Sequence, residues 1–161
     1  MTDHGAEGIR IRKAGESDLA VMADFRLAMF GDMATAAGES PDSMEWLREP
    51  NETWLGRHFG RDFDEWLAES NGEVVASAGV MWLEHPPGPR NPGGTEACIL
   101  NVYTRPQWRN RGLARTLVDL IVAEARSRGV RRIWLRASPQ GRPLYVDMGF
   151  AEANYMQLRE G

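Results

Sequence analysis

Cysteine is almost absent from this chain. Cys98 stands alone in 161 residues, so no internal disulfide can staple the fold and the cysteine count offers no case for secretion. Histidine is nearly as scarce: His4, His58 and His85 are scattered, share no metal-ligand spacing with Cys98, and lead us to expect no metal site. No apolar run approaches the roughly 18 residues that cross a bilayer. The opening MTDHGAEGIRIRK has no apolar h-region, so we expect neither membrane association nor a secretory signal, and the cytoplasm is the expected location. Two common phosphate cradles are missing as well. There is no Gly-x-x-x-x-Gly-Lys-Ser/Thr run, nor three spaced glycines followed by an acidic residue about 20 positions on. The net charge of −4 argues against general nucleic-acid binding.

What remains is globular in composition, with 42% hydrophobic residues, six Trp and five Phe, and its length suits one domain over 1–161. Residues 1–8 read as a flexible tail. A short alternating strand over 9–12 comes first, then a helix over 19–35 with Ser17 or Asp18 as N-cap. Val21, Met22, Phe25, Ala28 and Met29 fall near one stripe of that helix, and Arg26 and Asp32, off the stripe, are expected in solvent, with a place lining an acceptor groove as the alternative. Gly38, Pro41 and Pro50 break a polar stretch around a short helical turn over 44–47. The run from 51 to 61 reads as a helix with Asn51 as cap. His58 is expected there as a partly exposed helix residue rather than a base. The aromatics at 46, 54, 59, 63 and 66 are expected to face substrate, with plain core as the alternative. Strands over 64–69 and 73–84 meet at Asn71-Gly72, a hairpin signal, and Gly79 hints at a bulge. The stretch 80–83 is where a homodimer would pair or pack. The Pro/Gly-rich stretch 85–94 is a loop inside the domain, and no repeat or domain boundary is visible.

The centre of the chain is 95–136. Residues 96–104 are apolar and β-branched enough for a buried strand, and Pro106 ends pairing because it has no backbone donor. Arg109-Asn110-Arg111-Gly112-Leu113-Ala114 makes a turn. Leu113, Leu117, Leu120, Ile121 and Ala125 then recur at helical spacing, Gly129 closes the helix as a C′ residue, and 130–136 resumes a strand. The first amides of a helix have no intrahelical partners, and the macrodipole adds positive charge there. With Gly112 allowing close approach and Arg109 and Arg111 beside it, this turn suits an anion, above all a pyrophosphate. Residues 105–136 hold nine Arg against Asp119 and Glu124, a local balance of +7 that leaves −11 to the remainder. A basic segment for an anionic cofactor and an acidic remainder for a cationic acceptor would fit; chance segregation of surface charge fits as well.

Arg109, Gly112 and Ala114 form Arg-x-x-Gly-x-Ala, which resembles the acetyl-coenzyme A loop of the GNAT N-acetyltransferase superfamily. About 35 residues further on, Ala137-Ser138 and Gly141-x-Pro143-Leu144-Tyr145-x-x-Met148-Gly149-Phe150 resemble the superfamily's second motif, a last helix ending in Tyr-x-x-x-Gly-Phe. Ser138 would cap that helix with Pro139 at its first position, and strands over 150–153 and 155–158 would complete the sheet. The resemblance implies an α/β (α+β) fold with a mixed, mostly antiparallel sheet of about six to seven strands flanked by about four helices. It also implies acetyl transfer from acetyl-CoA to an amine by direct attack, without a metal. Tyr145 would be the general acid, and backbone groups of Val102, Tyr103 and Thr104 would pair with the pantetheine arm. A backbone amide of this strand would meet the oxyanion. Arg109, Asn110, Arg111, Gly112, Leu113 and Ala114 would hold the pyrophosphate. Ser138 would hydrogen-bond the cofactor arm or serve only as a cap.

The general base is open. Counting back from the loop, the superfamily's strand glutamate falls near Cys98, with Glu96 one alternation away on the same face. Glu96 is the candidate base, directly or through water, and a surface carboxylate is the alternative. Nothing beside Cys98 would lower its pKa, so a small buried residue is expected there. Acceptors divide into a small-molecule primary amine, favoured by the aromatic 46–66 segment, and a peptide or protein amine. A non-catalytic acetyl-CoA sensor is a third outcome, against which the retained Tyr145 speaks.

Overall fold

The computed structural model describes residues 8–40 and 44–159. Pro41 and all but the last residue of the expected tail lie outside the described residues. Five strands form one sheet in chain order: β1 (Ile9–Lys13), β2 (Phe63–Ser70), β3 (Glu73–Glu84), β4 (Thr95–Thr104) and β5 (Arg132–Leu135). The first three junctions are antiparallel and β4 runs parallel to β5. A parallel pair needs a long crossover, and α3 (Leu113–Ser127) supplies it. Three further α-helices, α1 (Leu19–Ala36), α2 (Arg48–His58) and α4 (Arg142–Asp147), complete the described frame. The class is the expected mixed, mostly antiparallel α/β sheet with four α-helices.

Strand alternation sorts the core into two layers. Phe63 of β2 packs with Met22 and Ala23 of α1 and Leu55 of α2, and Leu67 packs with Phe25 of α1. Ala68, on the opposite face, joins Val75, Ile99, Leu117, Val118 and Ile121 in the cluster under α3. Tyr145 of α4 belongs to that second cluster. The sheet thus lies between α1/α2 and α3/α4.

The β2–β3 turn has Asn71 at φ 50° and Gly72 at φ 80°, the paired positive values a two-residue type I′ hairpin needs. The register of β3 on β4 shifts between Ser77 and Gly79, where a bulge was expected. Gly79 is there for room, because a Cβ would stand 2.7 Å from the ring of Phe63, which is fully buried. Gly79→Ala should therefore cost about 1–3 kcal/mol by overpacking, read as a lower urea midpoint; an unchanged midpoint would show that the ring yields freely.

Several local expectations are corrected. Among the described residues the sheet has five strands, not six or seven. Residues 150–159 form no strand, although they alternate: Tyr155 and Met156 stand in solvent and β5 offers only four residues beside them. Alternation makes a strand only where an edge is available to pair. The second helix starts at Arg48, not Asn51. Pro50 does not break it, since it lies in the first turn where the missing amide would have no partner anyway. Asn51 is an interior residue whose Nδ2 donates to the Leu47 carbonyl at 2.8 Å. Asp18, one of the two expected caps, stands at the N-cap of α1, but its side chain makes no capping bond to the helix. Instead Asp18 accepts from the Gly15 amide at 2.7 Å and from two Arg12 nitrogens at 2.7 and 2.8 Å, and the Arg12 hydrogen bond holds its carboxyl below the usual carboxylate range. The last helix begins at Arg142, three residues after Pro139. Ser138 caps only the turn before it, its Oγ accepting from the Gly141 amide at 3.1 Å. Finally, β3 is paired to β4 through Glu84 and to β2 as far as Met81, so at Val80 and Met81 a second copy could pack against the strand but not pair with it.

Candidate functional site

β4 and β5 pair only from Glu96↔Arg132 to Ile99↔Leu135. Beyond Ile99 the β5 ladder has ended while β4 continues to Thr104, so the edge carrying Val102, Tyr103 and Thr104 is left without a β5 partner. A β-like arm can add to such an edge through main-chain hydrogen bonds. Strand, loop and last helix meet in one cluster: Leu113 and Tyr145 are buried members, and Val102 and Trp108 pack against them.

The loop after β4 leads into the start of α3 through left-handed backbone. A 3-10 turn (Pro106–Trp108) leads into Arg109, then Asn110 at φ 60° and Gly112 at φ 77°. Gly112 is the N-cap of α3, and its carbonyl accepts from the Thr116 amide at 3.0 Å. The amides of Leu113 and Ala114, one turn earlier, precede any intrahelical acceptor and point out of the helix end. A Cβ on Gly112 would meet nothing within 4 Å, and Asn110, Arg111 and Gly112 are all exposed. Left-handed residues among right-handed ones turn successive amides toward one concavity. The pyrophosphate expectation fits this geometry, with the helix dipole adding positive charge.

The arginines are less free than their sequence positions suggest. Arg109 is paired with Asp32 of α1, and its Nε donates to the Thr104 carbonyl at 3.0 Å. Asp32 is exposed as expected, but engaged. Arg111 lies over the Trp108 ring, 4.6 Å from its centroid. Arg115 bridges to Asp147 and so ties α3 to α4.

Tyr145 is buried, and burial raises its phenol above the ordinary value. The hydroxyl therefore keeps its proton at neutral pH, as a proton donor must. Its ring stacks edge-on to Phe150 with centroids 6.0 Å apart. Gly141 gives it space, since a Cβ there would stand 3.0 Å from the Tyr145 ring and 3.3 Å from Ser138 Oγ. Ser138, on the turn before α4, and the Tyr145 ring thus both border Gly141.

Glu96 is placed differently. It is buried near the start of β4, five residues before Asn101 and about 16 Å of strand away. Its Oε2 accepts from Trp134 Nε1 at 3.1 Å and lies 3.4 Å from His85 Nε2, while Oε1 lies 3.2 Å from Arg132 Nε. Cys98 is half-buried, and burial pushes its thiol up, away from a nucleophilic thiolate. His58 stacks on Trp54 and bonds Asp62 through Nδ1 at 2.8 Å. Of the expected substrate-facing aromatics, Phe63 is core, Trp54 and Phe59 pack against its cluster and Trp66 against the α3 layer. Trp46 alone is largely exposed, at 72%. Among the described residues no cluster of metal-ligand side chains occurs, and no helix is long and apolar enough to cross a membrane.

Three residues were missed in the sequence. Arg26, expected in solvent, reaches from α1 to the side chain of Asn101 in β4. Asn101 in turn donates through Nδ2 to Glu65 Oε2 of β2 at 3.4 Å. Glu65 is fully buried, and desolvation pushes its carboxyl up to about 8 against the hydrogen bonds of Ser77 and Asn101 and the charge of Arg26. The available signal was a polar residue at an inward position of each strand. Between the ordinary 4.5 and about 8, the folded chain holds a proton that the unfolded chain has released, so rising pH favours unfolding across that window. Urea midpoints should fall through it, and Glu65→Gln should flatten that part of the profile. Parallel profiles for the two proteins would place the proton elsewhere.

The comparisons agree with this geometry. The family model described as "Acetyltransferase (GNAT) family" matches residues 27–150. A GCN5-related N-acetyltransferase from Ralstonia eutropha JMP134 superposes with a TM-score of 0.84 at 30% identity, covering 95% of this chain and 99% of that one. A predicted acetyltransferase from Clostridium acetobutylicum, solved with acetyl-CoA, gives a TM-score of 0.84 at 28% identity over 94% and 96% of the two chains. Among curated proteins, the [ribosomal protein bS18]-alanine N-acetyltransferase of Salmonella typhimurium is 37% identical over 73 residues, 41% of this chain and 49% of that protein. The matched stretch thus spans about half of that relative.

Proposed function

Because the chain belongs to the acetyltransferase (GNAT) family, we propose that it moves the acetyl group of acetyl-CoA to a primary amine of a small molecule. The observation that carries this is the open edge of β4 beyond Ile99, running directly into the amide-lined loop at Gly112. An extended arm ending in a pyrophosphate matches both parts at once. Val102, Tyr103 and Thr104 pair with the arm. Asn110 to Ala114 hold the phosphates mainly through backbone amides, with Arg109 and Arg111 adding charge and Ser138 beside the arm.

In the transfer, the neutral amine nitrogen forms a bond to the acetyl carbon as the carbon–sulfur bond breaks. The departing sulfur takes the phenolic proton of Tyr145, which burial keeps in place, and the phenolate regains one from solvent. The proton leaving the amine passes to water. Glu96, the candidate base, stands about 16 Å of strand from Asn101 with its carboxylate engaged by Arg132, Trp134 and His85, so it would act only through a chain of waters.

A peptide amine is the second reading, favoured by the relative that acts on the alanine of a ribosomal protein. Release of free CoA thiol, followed over a panel of small primary amines and of peptides with free N-termini, decides between them. Turnover confined to small amines supports the first reading, and turnover confined to peptides replaces it. Acetyl-CoA binding without turnover on either panel would favour a sensor.

A further inference from the structure

The middle of β4 departs from strand geometry. Asn101 has φ 55°, a left-handed value that costs most residues energy and that asparagine tolerates better than others. Gly79 pairs with Leu100 and Ser77 with Tyr103, which leaves Ala78 alone opposite both Asn101 and Val102. Two residues against one is a β-bulge, in which the extra residue is released from the ladder. It falls just past Ile99, the last β4 residue paired to β5, so the released backbone lies where the β5 edge of β4 becomes unpaired.

Four residues from three elements hold this bulge in place. Ser77 Oγ of β3 donates to the Asn101 carbonyl at 3.2 Å. Arg26 of α1 donates to Asn101 Oδ1, and Asn101 Nδ2 donates to Glu65 Oε2 of β2. Gly79 leaves the space, because a Cβ on it would stand 3.3 Å from the same Glu65 oxygen. The arrangement is costly. Glu65 is fully buried, and its Oε1 has no hydrogen-bond partner among the described residues. Replacing such groups by well-packed apolar side chains is often neutral or stabilising, so core stability does not explain why a buried carboxyl group and a guanidinium converge here. Geometry at the bulge does.

We propose that Arg26, Asn101 and Glu65 are positioning residues that lock the β4 bulge and thereby present the Val102 amide, free of the sheet, to the carbonyl oxygen of the acetyl thioester. That oxygen gathers negative charge as the amine adds, and a donor already aimed at it lowers the barrier without reorganising. Arg26 acts through Asn101 and touches no substrate, and Glu65 acts likewise. This rests on the acetyl-transfer reading above.

The test is isotope-edited infrared spectroscopy of carbonyl-labelled acetyl-CoA on the whole protein, with calorimetric affinities for acetyl-CoA and CoA. A donor at the carbonyl moves its band to lower frequency, a change that general loosening of the core would not mimic. Wild-type protein should show the shift. Asn101→Ala should lose most of it, together with about tenfold of the preference for acetyl-CoA over CoA, the size of one good hydrogen bond. Glu65→Leu keeps an apolar fill, and should remain folded yet show a reduced shift that Glu65→Gln restores. Should Asn101→Ala not fold, the two Glu65 variants carry the comparison. A wild-type band at the free-solution frequency, or a full shift in Glu65→Leu, overturns the positioning role while leaving acetyl transfer standing. No acetyl-CoA binding in the wild type overturns both.

Discussion

Gly112→Asp should weaken acetyl-CoA binding by about a hundredfold or more, equivalent to about 2.7 kcal/mol. Two effects combine. Gly112 sits at φ 77°, where a side chain costs on the order of 1–2 kcal/mol. More important, a carboxylate at the N-terminus of α3 competes with the pyrophosphate for the same amides and repels it. The substitution should not unfold the protein, because a Cβ there meets nothing within 4 Å and an acidic group suits a helix N-terminus. Gly112→Ala separates the contributions: it carries the strain without the charge and should lose no more than about tenfold. Calorimetric titration reads both variants. Equal affinities in Gly112→Asp and the wild type would remove the loop from the cofactor site.

Tyr145→Phe should lower kcat by about a hundredfold or more and leave KM for acetyl-CoA nearly unchanged, the range of a lost proton donor. The ring would still fill its place in the cluster with Leu113 and Leu117 and still meet Phe150, so the variant should fold and bind. Only the hydroxyl is lost. A change confined to KM would make Tyr145 a packing residue of the cofactor arm. Unaltered kcat with every amine that supports turnover would end its role as the acid.

The contrast between these two sites and the bulge explains what was legible in the sequence. The turn between β4 and α3 depends on backbone conformation set by a local pattern, so the turn over 109–114 and the helix that follows it could be read from six consecutive residues. The hairpin at Asn71-Gly72 and the C′ glycine at Gly129, φ 74°, are local in the same sense. Arg26 was misassigned because a helical stripe describes only one helix. Its partner, Asn101, lies 75 residues away, and no local pattern announces that a side chain will reach across to another element. Glu65 and Asn101 interrupt apolar alternation in their strands, and that interruption was the only trace they left. The end of the chain failed for the opposite reason. Residues 155–158 carry a clear strand pattern, yet pairing depends on a neighbour, and the last strand of the sheet is four residues long.

The base is the least determined part of the mechanism for a related reason. A strand glutamate can be counted to a position, but its protonation and reach depend on the groups around it. For Glu96 those are Trp134, Arg132 and His85, brought together from β5 and the loop before β4.

Calorimetric titration of the purified protein with acetyl-CoA, alongside CoA and NAD, tests the central claim most directly. The geometry predicts saturable one-to-one binding of acetyl-CoA, clear binding of CoA through the same phosphate loop, and none of NAD. The absence of any acetyl-CoA binding would contradict the account at its root, leaving a protein with this family's fold and no acetyl donor to transfer from.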